Sequence, residues 1–199
     1  MKTRNILSIL VTVLLVIGCS SDSSSDGDII VGGPTNEGGD GGGSTSTYLQ
    51  DAASFPMGNI VSAAKLTSSS ANTTFKEVLL NDYNSITAEN DMKMATIFTS
   101  AGNYNFSAGD AIVAYAKANG LRVHGHALIW HSSVPGWLNS FSGTNEEFEA
   151  LIEAYVKATV THFAQEKDSN GNSIVVSWDV VNEYFDGSSI RSSIFQQKI

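Results

Sequence analysis

The chain has 199 residues, with 20 Asp and Glu against 11 Lys and Arg, and a formal charge of −9. That acidic balance gives no electrostatic footprint for nucleic-acid phosphates, and a single Cys excludes an internal disulfide framework. Length alone allows one or two ordinary domains, but the composition divides the chain unevenly.

Lys2 and Arg4 make a short basic start, and Ile6 to Ile17 follow as an apolar run broken only by Ser8 and Thr12. Spanning a bilayer takes about 20 apolar residues, so this run fits the apolar region of a signal peptide. Val16-Ile17-Gly18-Cys19 then resembles a bacterial lipoprotein box, where cleavage before the Cys leaves it lipid-modified. An ordinary signal peptide with an incidental Cys is the alternative. The only Cys of the chain stands at that position, which favours the lipoprotein form. Residues 1–18 are therefore expected to be a leader. Cys19 is the expected lipid anchor of an exported protein held at the outer membrane or cell surface. Residues 19–47 are rich in Ser, Gly and Asp. They cannot bury enough apolar surface to offset their ordering entropy, so they read as a flexible tether. The glycines from Gly38 to Gly43 are a weak match to a phosphate loop, since no apolar strand leads into them and no helix follows.

Residues 48–199 hold the part that can fold. Phe55 to Val61 is a candidate first strand, followed by helical spacing of Phe75, Val78, Leu79 and Leu80 with Asn72 or Thr73 near the cap. Ser85-Ile86-Thr87-Ala88 reads as a second strand ending at Glu89-Asn90. Ser107 is placed to cap a second helix, with Asp110 three residues on, and Asn119-Gly120 ends it. Leu121 to His126 reads as a third strand. Thr144 and Glu147 have capping-box spacing ahead of a stripe of Phe148, Leu151, Ile152, Tyr155, Thr159 and Phe163. Ser169 to Asn172 is a turn. Ile174 to Val181 reads as a fourth strand, apolar enough to be buried on both faces.

Alternating strands and helices predict an α/β fold with parallel strands and right-handed crossovers. A doubly wound sheet and a (β/α)8 TIM barrel compete. Glu89, His126 and Asn182-Glu183 each follow an apolar run, at the C-terminal ends of three strands, where barrels build their chemistry. No Gly-x-Gly-x-x-Gly turn follows the first strand, which weakens the dinucleotide-binding open sheet.

These strand ends carry the functional signal. A carboxyl group at a strand end, as at Glu183, can serve as a general acid, and the amide of Asn182 can hold a substrate hydroxyl; alternatively the pair simply starts a solvated loop. His124, His126 and His131 lie close together with Trp130. They read as metal ligands, as core histidines, or as contacts to sugar hydroxyls and ring faces. No further cluster completes a metal shell. Glu89-Asn90-Asp91-Met92-Lys93 could be a helix start favoured by the dipole or a hydroxyl-binding cluster.

Together these segments resemble glycoside hydrolase family 10, the (β/α)8 endo-β-1,4-xylanases. The motifs are Thr87-Ala88-Glu89-Asn90-Asp91-Met92-Lys93, then His124-Gly125-His126-Ala127-Leu128-Ile129-Trp130-His131, then Trp178-Asp179-Val180-Val181-Asn182-Glu183. Ser132 to Leu138, Tyr104-Asn105-Phe106 and Arg191-Ser192-Ser193 fit as well. The resemblance implies Glu183 as general acid/base and Asn182 as the contact to the sugar 2-hydroxyl. It implies His126, Lys93 and Trp130 beside the cleaved bond, with His131 supporting the site. Glu89 and Asn90 would grip the next sugar on the non-reducing side. It further implies xylan or xylo-oligosaccharide as substrate, no cofactor, no metal and a monomer.

The family is retaining and uses a second carboxylate about 5–5.5 Å from the first, a Glu at the end of the seventh strand. No acid of this chain sits in that motif. A barrel takes about 250 residues, so 48–199 is expected to be the first four β/α units of one and inactive alone. Two other readings are a non-catalytic surface glycan-binding lipoprotein and a metal-dependent hydrolase built on His124 and His126.

Overall fold

The computed structural model describes residues 48–68 and 72–199. The expected leader, Cys19 and the 19–47 tether lie outside the described residues. Four strands, β1 (Gly58–Val61), β2 (Ser85–Ala88), β3 (Arg122–Gly125) and β4 (Val175–Trp178), form one parallel sheet in chain order. Helices α1 (Thr73–Asp82), α2 (Ser107–Ala118) and α3 (Asn145–Ala164) lie between successive strands, and a short helix, Ile194–Lys198, follows β4. A doubly wound sheet reverses its strand order at a switch point. Here the order never reverses, which is the succession of β/α units in a (β/α)8 barrel.

The core explains the element choices. Ser85, Ile86 and Ala88 of β2 are buried, as befits a strand with neighbours on both sides and helices over it. Helix α3 starts with a reciprocal capping box. Glu147 N–H donates to Thr144 Oγ1 at 3.2 Å, and Thr144 N–H donates to Glu147 Oε2 at 2.8 Å. Its buried stripe is Phe148, Ile152, Tyr155, Thr159 and Phe163, while Leu151 is half-buried. Phe98 stacks on Tyr155 at 5.0 Å between ring centroids and meets Trp137 edge-on at 4.8 Å. This holds the Phe98–Ser100 and Asn103–Tyr104 hairpin against α3.

Four expectations are corrected. The first strand starts at Gly58, not Phe55; Pro56 has no N–H to give to a ladder, and Phe55 is exposed. Ser107 is the first residue of α2 and not its cap. Asn105 Oδ1 does that work, accepting from Ser107 N–H at 3.1 Å and from Ser107 Oγ at 2.7 Å. The fourth strand is broken. Val123 pairs with Val175 but His124 pairs with Ser177, so Val176 is an extra residue in a bulge. Pairing stops at Trp178 and resumes where Ile129–Trp130 runs parallel to Val181–Asn182. Nor is the run from Ile174 to Val181 buried on both faces: Val176, Val180 and Val181 are exposed, and among the described residues β4 has a strand on one side only.

Gly125 lets β3 and β4 come together at their C-terminal ends. A Cβ on Gly125 would stand 2.2 Å from Cε3 of Trp178, whose ring in turn packs 5.8 Å from Phe163. Gly125→Ala is therefore expected to destabilise the protein by about 1–3 kcal/mol through overpacking. Urea denaturation measures this, and an unchanged midpoint would contradict the packing.

Candidate active site

Past β2 the chain alternates sharply. Met92 and Met94 are fully buried, so Lys93 between them projects the other way, toward the C-terminal ends of the strands. Its Nζ donates to Asn90 Oδ1 at 3.0 Å and lies 4.6 Å from the ring centroid of Trp130, a cation–π distance. Asp91 turns toward β1, where its Oδ2 accepts the Ala63 N–H at 2.9 Å. The loops after β1 and β2 are tied together by that bond.

His124 and His126 share one face of the chain leaving β3, and both reach one carboxylate oxygen. His126 Nδ1 lies 2.8 Å and His124 Nε2 3.2 Å from Asp179 Oδ2, with His124 Nδ1 2.8 Å from Ser177 Oγ. Burial pushes the Asp179 carboxyl up, but the hydrogen bonds and charges of His126 and His124 outweigh it and hold it below the usual aspartate value. An ionised carboxylate only accepts, so Nδ1 of His126 carries the bridging proton and the ring orientation is fixed. The His126–Ala127 peptide is cis. Beyond it, the pairing of Trp130 with Asn182 brings the indole beside the end of β4.

There Trp130 Nε1 donates to Glu183 Oε2 at 2.8 Å. His131 Nδ1 stands 3.9 Å from the same oxygen, and its Nε2 is 2.8 Å from Ser132 Oγ. Glu183 has a φ of 51°. The left-handed region is unfavourable for a residue with a Cβ and costs about 1–3 kcal/mol, which the surroundings must impose. The carboxyl is half-exposed at the mouth of a cavity of about 250 Å³ lined by Ile129, His131, Val181, Asn182 and Phe195.

Asn90, Lys93, Trp130 and Glu183 thus form one contiguous line of contacts across the ends of β2, β3 and β4. His126 borders it with ring centroids 5.8 Å from Trp130, and Asn182 and His131 border it through the cavity. Glu89 stands exposed at the rim, and among the described residues it shares no side-chain hydrogen bond with the others. Chemically, the line offers one carboxyl held by a neutral N–H donor, a nearby cation, and amide and imidazole groups suited to sugar hydroxyls.

Residues 46–199 match the family described as Glycosyl hydrolase family 10. The chain belongs to glycosyl hydrolase family 10. It is 38% identical over 148 residues to endo-beta-1,4-xylanase Xyn10C of Cellvibrio japonicus, covering 71% of this chain and 23% of that protein. It is 36% identical over 126 residues to endo-1,4-beta-xylanase B of Thermotoga neapolitana, covering 63% of this chain and 34% of that one. Among solved structures, native xylanase 10C of Cellvibrio japonicus superposes with a TM-score of 0.67 at 33% identity, over 77% of this chain and 33% of the other. The chain therefore spans 23–34% of the length of these relatives.

In this family 10 chain, sequence reading assigned nothing to Asp179 beyond its place in a motif. The signal was available: an acid inside the mostly apolar run Val-Val-Ser-Trp-Asp-Val-Val is out of place in a strand unless it has partners. Because the Asp179 carboxyl is depressed in the folded state, its contribution to stability is present above the ordinary value of 3.8 and is lost as the pH falls through the folded value. Asp179→Asn should therefore be less stable than the parent at pH 7, and the gap should narrow toward pH 3. Urea denaturation at both pH values checks this; a gap constant with pH would refute it.

Proposed function

We propose that this chain carries the acid/base portion of an endo-β-1,4-xylanase, with Glu183 as the proton donor and acceptor. The observation that carries the reading is the hydrogen bond from Trp130 Nε1 to Glu183 Oε2 at 2.8 Å. It holds one carboxyl oxygen from a wall of the site and leaves Oε1 to exchange a proton with substrate. In the first step Glu183 protonates the glycosidic oxygen as the bond to the sugar breaks. In the second it takes a proton from the water that resolves the intermediate. Asn182 contacts the sugar 2-hydroxyl, and Lys93, His126 and Trp130 line the sugar beside the cleaved bond. Glu89 and Asn90 grip the next sugar. The orientation of His126 by Asp179 supports this, since a hydroxyl contact needs a fixed ring. A variant of the related Cellvibrio japonicus xylanase 10C has been seen with xylopentaose, and it superposes on this chain with a TM-score of 0.65 at 34% identity. That supports a β-1,4-xylo-oligosaccharide as the substrate class here.

Retention needs a second carboxylate about 5–5.5 Å from the first, and none of the motifs of this chain supplies it. The 199-residue chain alone is therefore expected to release no reducing sugar from xylan. In the complete protein, Glu183→Ala is expected to lower xylan hydrolysis by about 10²–10⁴-fold, the usual share of general acid–base catalysis. Turnover equal to the parent's would overturn the assignment.

The protein is further proposed to be exported and lipid-anchored through Cys19, with residues 19–47 as the tether to the catalytic part. The basic start, the short apolar run and the position of the only Cys support this. Metabolic labelling with palmitate in a bacterial host is expected to mark the parent and leave Cys19→Ser unlabelled; label in both would exclude the anchor.

A further inference from the structure

Glu183 is followed by an excursion that comes straight back. Phe185–Asp186 and Ser189–Ile190 pair antiparallel around a turn in which Gly187 has a φ of 59°. The chain returns at Arg191, whose backbone N–H donates to Tyr184 O at 2.9 Å. This places the Arg191 side chain at the base of the hairpin, against the segment it has just left. Its Nε donates to Glu183 O at 3.2 Å, and Nη2 reaches Phe185 O at 3.5 Å. Nη1 lies 3.5 Å from Asp186 Oδ2. One guanidinium therefore ties together the backbone of the acid residue and the hairpin that follows it, a task suited to a rigid planar fork with several donors.

From this we infer that Arg191 is a positioning residue for Glu183. The left-handed backbone at Glu183 sets the direction of its Cα–Cβ bond. Relaxation to an ordinary φ would swing the carboxyl away from Trp130 Nε1. By holding the Glu183 carbonyl, Arg191 fixes the peptide plane just after the strained residue and keeps the carboxyl on the indole. Arg191 does not touch the reacting atoms in this arrangement; it acts through the backbone. The inference rests on reading Glu183 as the general acid/base.

The test has two arms, so that failure of the positioning role and failure of the catalytic reading are told apart. In the full 199-residue chain, the indole N–H resonance of Trp130 reports the contact with Glu183, and Glu183→Ala marks the shift of the free indole. The Trp137 indole, which donates to Phe98 O at 3.0 Å, is the internal control. Arg191→Gln is expected to move the Trp130 resonance toward its position in Glu183→Ala while Trp137 stays put. Arg191→Lys, which keeps the charge but lacks the fork, should move it less in the same direction and decides the matter if Arg191→Gln does not fold. An unmoved Trp130 resonance overturns the inference. So does a shift of Trp137 as large as that of Trp130, or loss of its signal in both variants, since either means that Arg191 serves the whole fold. In the complete protein, Arg191→Gln is expected to lower kcat on xylan on the order of 10²-fold, as misplacement of a reacting group does, with KM little changed. A raised KM at constant kcat would also overturn it. Full activity of Glu183→Ala would instead refute the catalytic reading, whatever the indole shows.

Discussion

The hydrogen bond from Trp130 to Glu183 joins residues 53 positions apart, and the rest of the site depends on it being reachable. Neither residue lies in the main sheet. Each stands on a continuation of a sheet strand, and the two continuations pair with Trp130 opposite Asn182. That register is inherited from below. Asp179 N–H donates to Gly125 O, Leu128 N–H to Asp179 O, and Ile129 N–H to Val180 O, all at 3.0–3.1 Å. These bonds carry the alignment of β3 and β4 across the gap where regular pairing stops. The indole and the carboxyl therefore meet because two backbones stay in step, and the packing of Trp178 over Gly125 keeps those backbones close.

Asp179 acts as a buttress for the same geometry. A single carboxylate oxygen receives two imidazoles, and the resulting attraction exceeds the cost of burying the charge. The histidine cluster in the sequence is thereby divided into two kinds of residue. His124, bonded also to Ser177, is held on both ring nitrogens and has little freedom to meet a ligand. His126 spends only Nδ1 on Asp179. Its position beside Trp130 leaves it facing the line of residues that runs to Glu183.

Much of this was legible before any coordinates. The strand-to-helix alternation, the capping box at Thr144 and Glu147, and the polar residues at three strand ends are local or periodic signals, and each appears where the residues put it. What was not legible depends on pairing at a distance. The bulge at Val176 cannot be read from a run of apolar residues, because nothing in Ile174 to Val181 says which of them faces a partner. The cap at Asn105 competes with an equally good Ser107, and only the backbone path decides between them. Arg191 lies in a short polar stretch with no periodicity, and its role appears only when the hairpin brings it back to Glu183.

The extra residue in β4 has a consequence of its own. Strand side chains alternate in direction, so one inserted residue changes which neighbours share a face. Val175 sits beside Val123 in the core, yet Ser177, two residues on, sits beside His124. Regular pairing of the same residues, with no bulge, would set Val176 beside His124 and put every later group, Asp179 included, out of step with β3. The bulge thus absorbs a difference of one residue between the two strands: a chain lacking Val176 would pair Ser177 with His124 without interruption, whereas one with a further residue inserted there would have two to absorb.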